Sequence, residues 1–259
     1  MTREHDILCI ADTQVAPDTP TDHLKALSRY IWRHKPAHLV HIGDHWDFKC
    51  LSTYASPLEQ EGLRLSKDIE AGADAFELID EVTHTKNLKG KRGHKAEYRP
   101  TKNFLMGNHE NRLLRYIERN PVLQGCFDIE AFVRDQGWTV HQMNVPFWLY
   151  GICFSHYMEN AQSGRAVGGS IENKLNKFPH SFVHGHQQQY QYGRRQNLIG
   201  KPHFGVCAGS FYMHDEGYRG ANNTEVRGFT HFKGYVNRYG YIDHDVNFVS
   251  LERLLEDYA

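Results

Sequence analysis

The sequence predicts an α/β fold, and three observations predict it. Short apolar runs recur along much of the 259-residue chain. Between the early runs lie segments with helical periodicity. Beyond Trp138 the helical segments thin out, and the chain closes on an alternating, hairpin-like stretch. Strand and helix that alternate in this way build a layered α/β domain.

The strands come first. Ile7–Ala11 (ILCIA), His38–Ile42 (HLVHI), Asn103–Met106 (NFLM), Gly151–Ser155 (GICFS), Ser181–His184 (SFVH) and His203–Ala208 (HFGVCA) are short, mostly apolar runs, which read as buried strands. The stretch TPTDHLKALSRYIWRHK reads as a helix, with Leu24, Leu27 and Ile31 on one face and Thr21 or Asp22 as its N-cap. LSKDIEAGADAFELIDEV and ENRLLRYIERN carry the same periodicity. The final GFTHFKGYVNRYGYIDHDVNFVSL alternates as an antiparallel hairpin that turns near Tyr239–Gly240.

The bulk numbers exclude several classes. With 259 residues and 40% hydrophobic content, the chain can form one large α/β domain or two small ones. A net charge of −1 gives no global pull toward nucleic acid or membrane. No apolar run reaches the roughly 18 residues of a spanning helix. The charged start leads directly into a strand, so a signal peptide is not expected. Cys9, Cys50, Cys126, Cys153 and Cys207 are scattered singly, as expected of free thiols in a reducing cytoplasm. Lys86–Lys102 is a basic stretch without apolar periodicity. It reads either as a solvated surface loop or as an arm that meets a polyanion. The unusual count is 18 histidines, the residue type that most often binds metals and carries protons near neutral pH.

Position decides what those histidines do. Asp12 and Gln14 follow the first strand, and Gly43-Asp44 with Asp47 follow the second. Gly107-Asn108-His109-Glu110 follow the third, and His156 the fourth. His184-Gly185-His186 with Gln188 end the fifth. In open α/β sheets, ligands bind beyond the carboxyl ends of the strands. Taken singly, each feature has a plain structural reading. Asn108 suits a helix N-cap, His156 a packed imidazole and Asp47 a surface turn. Five strand ends that all deliver oxygen or nitrogen ligands point instead to one metal centre.

The order D-x-Q, GDxxD, GNHE, a lone H and GHxQ resembles the calcineurin-like metallophosphoesterases. Their pattern is D-x-H, G-D-x-x-D, G-N-H-D/E, H and G-H-x-H. The wording around IADTQVAP and HIGDHWD is similar to a branch encoded by tailed phages and prophages. The resemblance implies a single domain over 1–259, built as a four-layer α/β/β/α sandwich with two divalent ions over the strand ends. It implies that Asp44 bridges the ions and that Asn108, His156 and His186 complete one site. Asp12, Gln14 and Gln188 would form the other. His109 would protonate the leaving group, and Asp47 would orient a ligand or His109. Localisation would be cytoplasmic, in the host if the chain is phage-encoded.

The departure is that Gln14 and Gln188 stand where the family has histidines, and both fall on the same ion. A glutamine carbonyl is a weaker ligand than imidazole for zinc-like ions, and oxygen-rich sites favour Mg²⁺, Mn²⁺ or Ca²⁺. The expectation is one firm site and one weaker, exchangeable site, with Mn²⁺ first and Mg²⁺, Ni²⁺, Zn²⁺ or Fe²⁺ as alternatives. His184 has no family role and reads as a strand residue.

Substrate contacts are less sharply marked. Arg112, Arg115 and Arg119 share one helix face, with Arg112 nearest the metals as a candidate substrate contact; an exposed helix face is the plainer explanation for all three. Arg165, in the glycine-rich stretch after His156, can hold a phosphate or lie in an ordinary connection. His214, Asp215 and Glu216 are further ligands or a pocket rim. Phe211, Tyr212 and Tyr218 stack a base or simply pack. The expected function is a metal-dependent phosphoesterase acting on a nucleotide or nucleic-acid phosphodiester. The alternatives are a phosphomonoesterase, including a protein phosphatase, and a non-catalytic binding scaffold. No membrane partner is expected, and oligomeric state is not legible.

Overall fold

The computed structural model describes residues 4–53, 55–83, 98–196, 200–215 and 226–259. Its centre is β1 (Ile7–Ile10), a fully buried apolar run, as expected of a strand covered on both faces. β1 pairs in parallel with β2 (His38–His41), β2 with β3 (Thr101–Leu105), and β3 with β4 (Thr139–His141). On its other side β1 pairs antiparallel with β10 (Gly228–Val236), and β10 with β11 (Ile242–Ser250). The β10–β11 hairpin turns through 237–241, where Asn237 N–H donates to Tyr241 O at 2.8 Å. A second sheet runs β5 (Phe147–Leu149), β6 (Ile152–Ser155), β7 (Ser181–His184), β9 (Pro202–Ala208) and β8 (Tyr190–Gln196). Its β6, β7 and β9 are mutually parallel.

The two-residue strand period builds the layers. On β10, Phe229 and His231 meet Tyr30 of helix α1 (Asp22–His34). Phe232, of opposite parity, meets Phe154 and Phe204 of the second sheet at ring distances of 6.3 and 5.8 Å. Helix α1 packs with α3 (Leu65–Asp80) and α7 (Leu251–Tyr258) outside the first sheet. Helix α6 (Ile171–Lys177) covers β8 and β9 outside the second. The layering is therefore α/β/β/α, as the sequence led us to expect. No helix among the described residues is long and apolar enough to cross a membrane.

Three expectations need correction. Lys102 does not belong to a surface loop: it lies in β3, buried, with its Nζ 2.7 Å from Asp80 Oδ1. The part of the basic stretch at 86–97 lies outside the described residues, as do Glu216 and Tyr218. Asn108 is not an N-cap. Gly107 takes that place, and Asn108 is the first residue of α4 (Asn108–Arg119). Arg112 does not share a solvated face with Arg115 and Arg119. Those two are exposed, whereas Arg112 is half-buried.

Candidate metal centre

The parallel strands of both sheets end at one place. Asp12, just past β1, is fully buried and forms a bridge with Ser210 past β9. Asp44 follows β2, Asn108 and His109 follow β3, His156 follows β6, and His186 and Gln188 follow β7. Asp44, His156 and His186 each offer a ligand atom within 4.8 Å of one another. His156 Nε2 lies 3.2 Å from Asp44 Oδ2 and 2.9 Å from Asn108 Oδ1. His186 Nδ1 lies 2.7 Å from the same Asn108 oxygen. Behind the cluster, His156 Nδ1 donates to Ile42 O at 2.9 Å. That contact makes Nδ1 a donor and leaves Nε2 as the nitrogen that could ligate an ion.

The backbone is bent to aim these side chains. Gln14, Asp44, His186 and Gln188 all have left-handed φ, between 38 and 67°. A non-glycine residue in that region costs on the order of 1–3 kcal/mol, and such residues concentrate at functional sites. The loops also approach too closely for side chains at two glycines. A Cβ on Gly107 would stand 2.2 Å from Asp44 Oδ1, and one on Gly185 2.4 Å from Asp12 Oδ1.

Glu110 is the tie we did not read from sequence. Its Oε2 accepts N–H bonds from Asp44 at 2.9 Å and Gly107 at 2.8 Å. Its Oε1 accepts from His45 at 2.7 Å and Trp46 at 3.2 Å. One buried carboxylate thus holds the loop after β2 against the start of α4. Its signal was the acidic residue three places after Gly107, at the N3 position of a capping box, where the side chain reaches back to the N-cap N–H. Tyr157 was also missed. Its ring sits 5.3 Å from that of His186.

Electrostatics mark the cluster as a place for positive charge. Burial pushes the Asp12 carboxyl well above its ordinary value, and Asp44 pushes it further, against His156 and His109. Burial would raise Asp44 too, but His156 and His109 hold it low. Burial lowers His156, yet Asp44 outweighs it and carries the imidazole up to about 10. His186 is brought down to about 4 by burial and by His156. His109 is carried up to about 9, since Asp44 and Asp47 outweigh burial and the nearby Arg112.

The two halves of the site differ in fit. Asp44, His156, His186 and Asn108 offer a carboxylate, two imidazoles and a carbonyl, which suits a divalent transition ion. Asp12, Asp44, Gln14 and Gln188 offer only oxygen donors from their carboxylates and amide carbonyls, which suits a hard ion. Gln14 Oε1 is buried with no hydrogen-bond partner among the described residues, as an atom would be if a cation or water completed it. Gln188 Oε1 lies 3.4 Å from the Tyr212 hydroxyl.

Around the cluster, His109 Nδ1 donates to Asp47 O at 2.8 Å and stands 3.2 Å from Asp47 Oδ1. Its Nε2 faces Asp44 Oδ2 at 3.8 Å, Gln14 Nε2 at 3.5 Å and Arg112 Nη2 at 3.3 Å. Arg112 is anchored by donating to Asp47 O at 3.0 Å and Phe48 O at 3.3 Å. Arg165 is exposed, and no hydrogen bond or ion pair joins its side chain to the cluster among the described residues. His214 stacks on Tyr212, and Asp215 pairs with Arg227 at 3.0 Å. His184 ends β7 with its Nδ1 on Gly185 O.

No family model matches the chain, and no curated protein matches it. Among solved structures, Vps29 of Chaetomium thermophilum is similar over 96% of this chain and 98% of that chain, at 11% identity and a TM-score of 0.40.

Proposed function

We propose that the chain is a metal-dependent phosphoesterase, with a nucleotide or nucleic-acid phosphodiester as its preferred substrate class. The observation that carries this is the convergence of Asp44, His156 and His186 beside a histidine, His109, that is itself held from behind by Asp47. Divalent ions, Mn²⁺ foremost, would supply a water of lowered pKa and a positive clamp for phosphate oxygens. Asp44 with Asn108, His156 and His186 would hold one ion, and Asp12 with Asp44, Gln14 and Gln188 would hold a weaker one.

His109 is the proton donor. As an imidazolium it gives its Nδ1–H to Asp47 O and carries the proton for a leaving oxygen on Nε2, 3.8 Å from Asp44 Oδ2; in the neutral form Nε2 is bare and accepts from Arg112. A positioned acid of this kind contributes typically 10²–10⁴-fold. The anchored Arg112 guanidinium, beside that nitrogen, suits a phosphate oxygen. Arg165 is proposed for the outer part of the substrate. The same groups serve a phosphomonoester equally well.

A second reading has one observation in its favour. Amides stand at both positions where imidazoles would hold the second ion, and Gln188 Oε1 already lies near Tyr212. A binding scaffold with one structural ion would need no more.

The test strips the protein with chelator and reloads it with Mn²⁺, Mg²⁺, Zn²⁺ or Ni²⁺. Hydrolysis of a chromogenic phosphodiester and its monoester partner is then followed, with His109→Ala as control. Turnover that requires both an ion and His109 supports the enzyme, and the better ester names the substrate class. Ion binding without turnover selects the scaffold.

A further inference from the structure

The outer face of the second sheet holds a polar group that the metal site does not use. Helix α6 covers this face with Ile171 and Leu175, packed with Cys153, Met158 and Phe182. Lys174 stands in the same buried stripe, between those two apolar residues, and is completely buried. A buried ammonium is costly unless paired. Among the described residues, no ion pair joins Lys174 to a carboxylate. Its Nζ donates instead to Gln187 Oε1. Cys207 Sγ donates to the same oxygen at 3.9 Å. Cys207 sits opposite His184 in the β7–β9 register. Burial lowers the Lys174 amine, with Cys207 opposing it, and raises the Cys207 thiol to about 11, with Lys174 opposing that.

Gln187 is the residue between His186 and Gln188. Its own N–H donates to Gly185 O at 2.8 Å. Its neighbours on both sides hold left-handed φ, 67° at His186 and 56° at Gln188. His186 points to Asn108 and Gln188 to Tyr212, on the metal side, while the Gln187 side chain points back into the sheet's outer layer. The Gln187 side chain therefore anchors the strained three-residue turn from behind and ends on Lys174, while Asp12 Oδ2 takes the His186 N–H at 3.0 Å on the metal side.

We propose that Lys174 is a positioning residue for the metal centre: its Nζ grips the Gln187 amide and so keeps the left-handed turn that aims His186 and Gln188. The proposal rests on the metal-dependent reading above. It gives a reason for a lysine in an apolar stripe, since a charge-assisted donor is stronger than a neutral one and Gln187 offers the acceptor. An apolar residue would fill the same space and release the Gln187 amide, leaving the turn to the Asp12 contact with the His186 N–H.

The test uses the full chain in four forms: wild type, Lys174→Met, Gln187→Leu and the double variant. Calorimetric titration with Mn²⁺ gives the dissociation constant, and thermal unfolding without ion gives the stability of the apo protein. Partners that orient metal ligands typically cost about 10–100-fold in affinity when removed, so each single variant is expected to weaken Mn²⁺ by about tenfold. The double variant should lose no more than either single, because both break one link. The apo melting point of Lys174→Met should stay level or rise, since an apolar side chain replaces a buried cation. This separates positioning from a structural role. A Lys174→Met protein that binds Mn²⁺ like wild type overturns the proposal, and so do additive losses in the double variant. If Lys174→Met does not fold, Gln187→Glu decides. It keeps the acceptor and adds a charge for Lys174, so Mn²⁺ affinity should hold while the melting point rises; lost affinity in a folded Gln187→Glu protein overturns the proposal. A wild-type protein that binds no divalent ion fails at an earlier step, and overturns the metal reading with it.

Discussion

The two halves of the candidate metal centre are organised differently. In the imidazole half, donors already converge on one another: His156 and His186 share Asn108 Oδ1, and Ile42 O holds His156 from behind. In the amide half, the oxygens have separate surroundings. Gln14 Oε1 has no hydrogen-bond partner among the described residues, Gln188 Oε1 lies by Tyr212, and Asp12 takes the backbone N–H of His186 at 3.0 Å. A second ion under the proposed function would have to bring its donors together, and its affinity would bear that ordering cost. Both halves meet at Asp44, and Asp44 hangs from Glu110.

The largest expected effect tests that shared support. Glu110→Ala leaves the N–H groups of Gly107, Asp44, His45 and Trp46 without their acceptor. Unsatisfied buried donors cost about 1–3 kcal/mol each, so a loss of roughly 3 kcal/mol or more is expected in urea unfolding of the apo protein. A loss near zero would mean the two loops hold one another without the carboxylate. Next in size is the contrast between the halves. His186→Ala should weaken the first Mn²⁺ by about 100-fold or more, and Gln188→Ala should leave that ion within about threefold of wild type, since an imidazole far outranks an amide for such ions. Equal losses in calorimetric titration would erase the distinction between the halves.

Much of this was legible, and the parts that were not share a cause. The strand runs and the residues after them could be read because each signal is local: apolar runs, glycine turns and acid or imidazole at the strand end. Asn108 was open to misreading because an asparagine before a helix looks like a cap, yet the cap is Gly107 and the asparagine faces two histidines from distant strands. Lys102 looked like the end of a basic loop because its partner Asp80 is far away in sequence. The strands β4 and β5 are short, and β8 (YQYGRRQ) is polar and largely exposed, so neither apolar runs nor clean alternation marked them. Glu110 acts on backbone groups of a distant loop, and its N3 position in the capping box signals only the nearer of those bonds.

A smaller effect sharpens the comparison from the other direction. Restoring imidazoles with Gln14→His and Gln188→His gives the amide half the donor type of its neighbour. Affinity of the second site for Zn²⁺ or Ni²⁺ should rise by about tenfold, and its preference should move away from Mg²⁺. Metal analysis after loading at equal free ion concentrations reads this directly. Unchanged content would mean that positions 14 and 188 do not face the ion.

The smallest effect concerns a single hydroxyl. Tyr212 is buried, and its O–H lies 3.4 Å from Gln188 Oε1. If that hydroxyl competes with an ion for the carbonyl, Tyr212→Phe removes the competing contact. A net hydrogen bond is worth about 0.5–1.5 kcal/mol, so the second Mn²⁺ should bind roughly threefold tighter while the first is unmoved. The opposite sign has an equally definite meaning. A weaker second ion would show that the hydroxyl steers Gln188 toward the metal, as hydrogen-bond partners of ligands commonly do. The competition argued above would then be wrong, and the amide half would be as deliberately supported as the imidazole half.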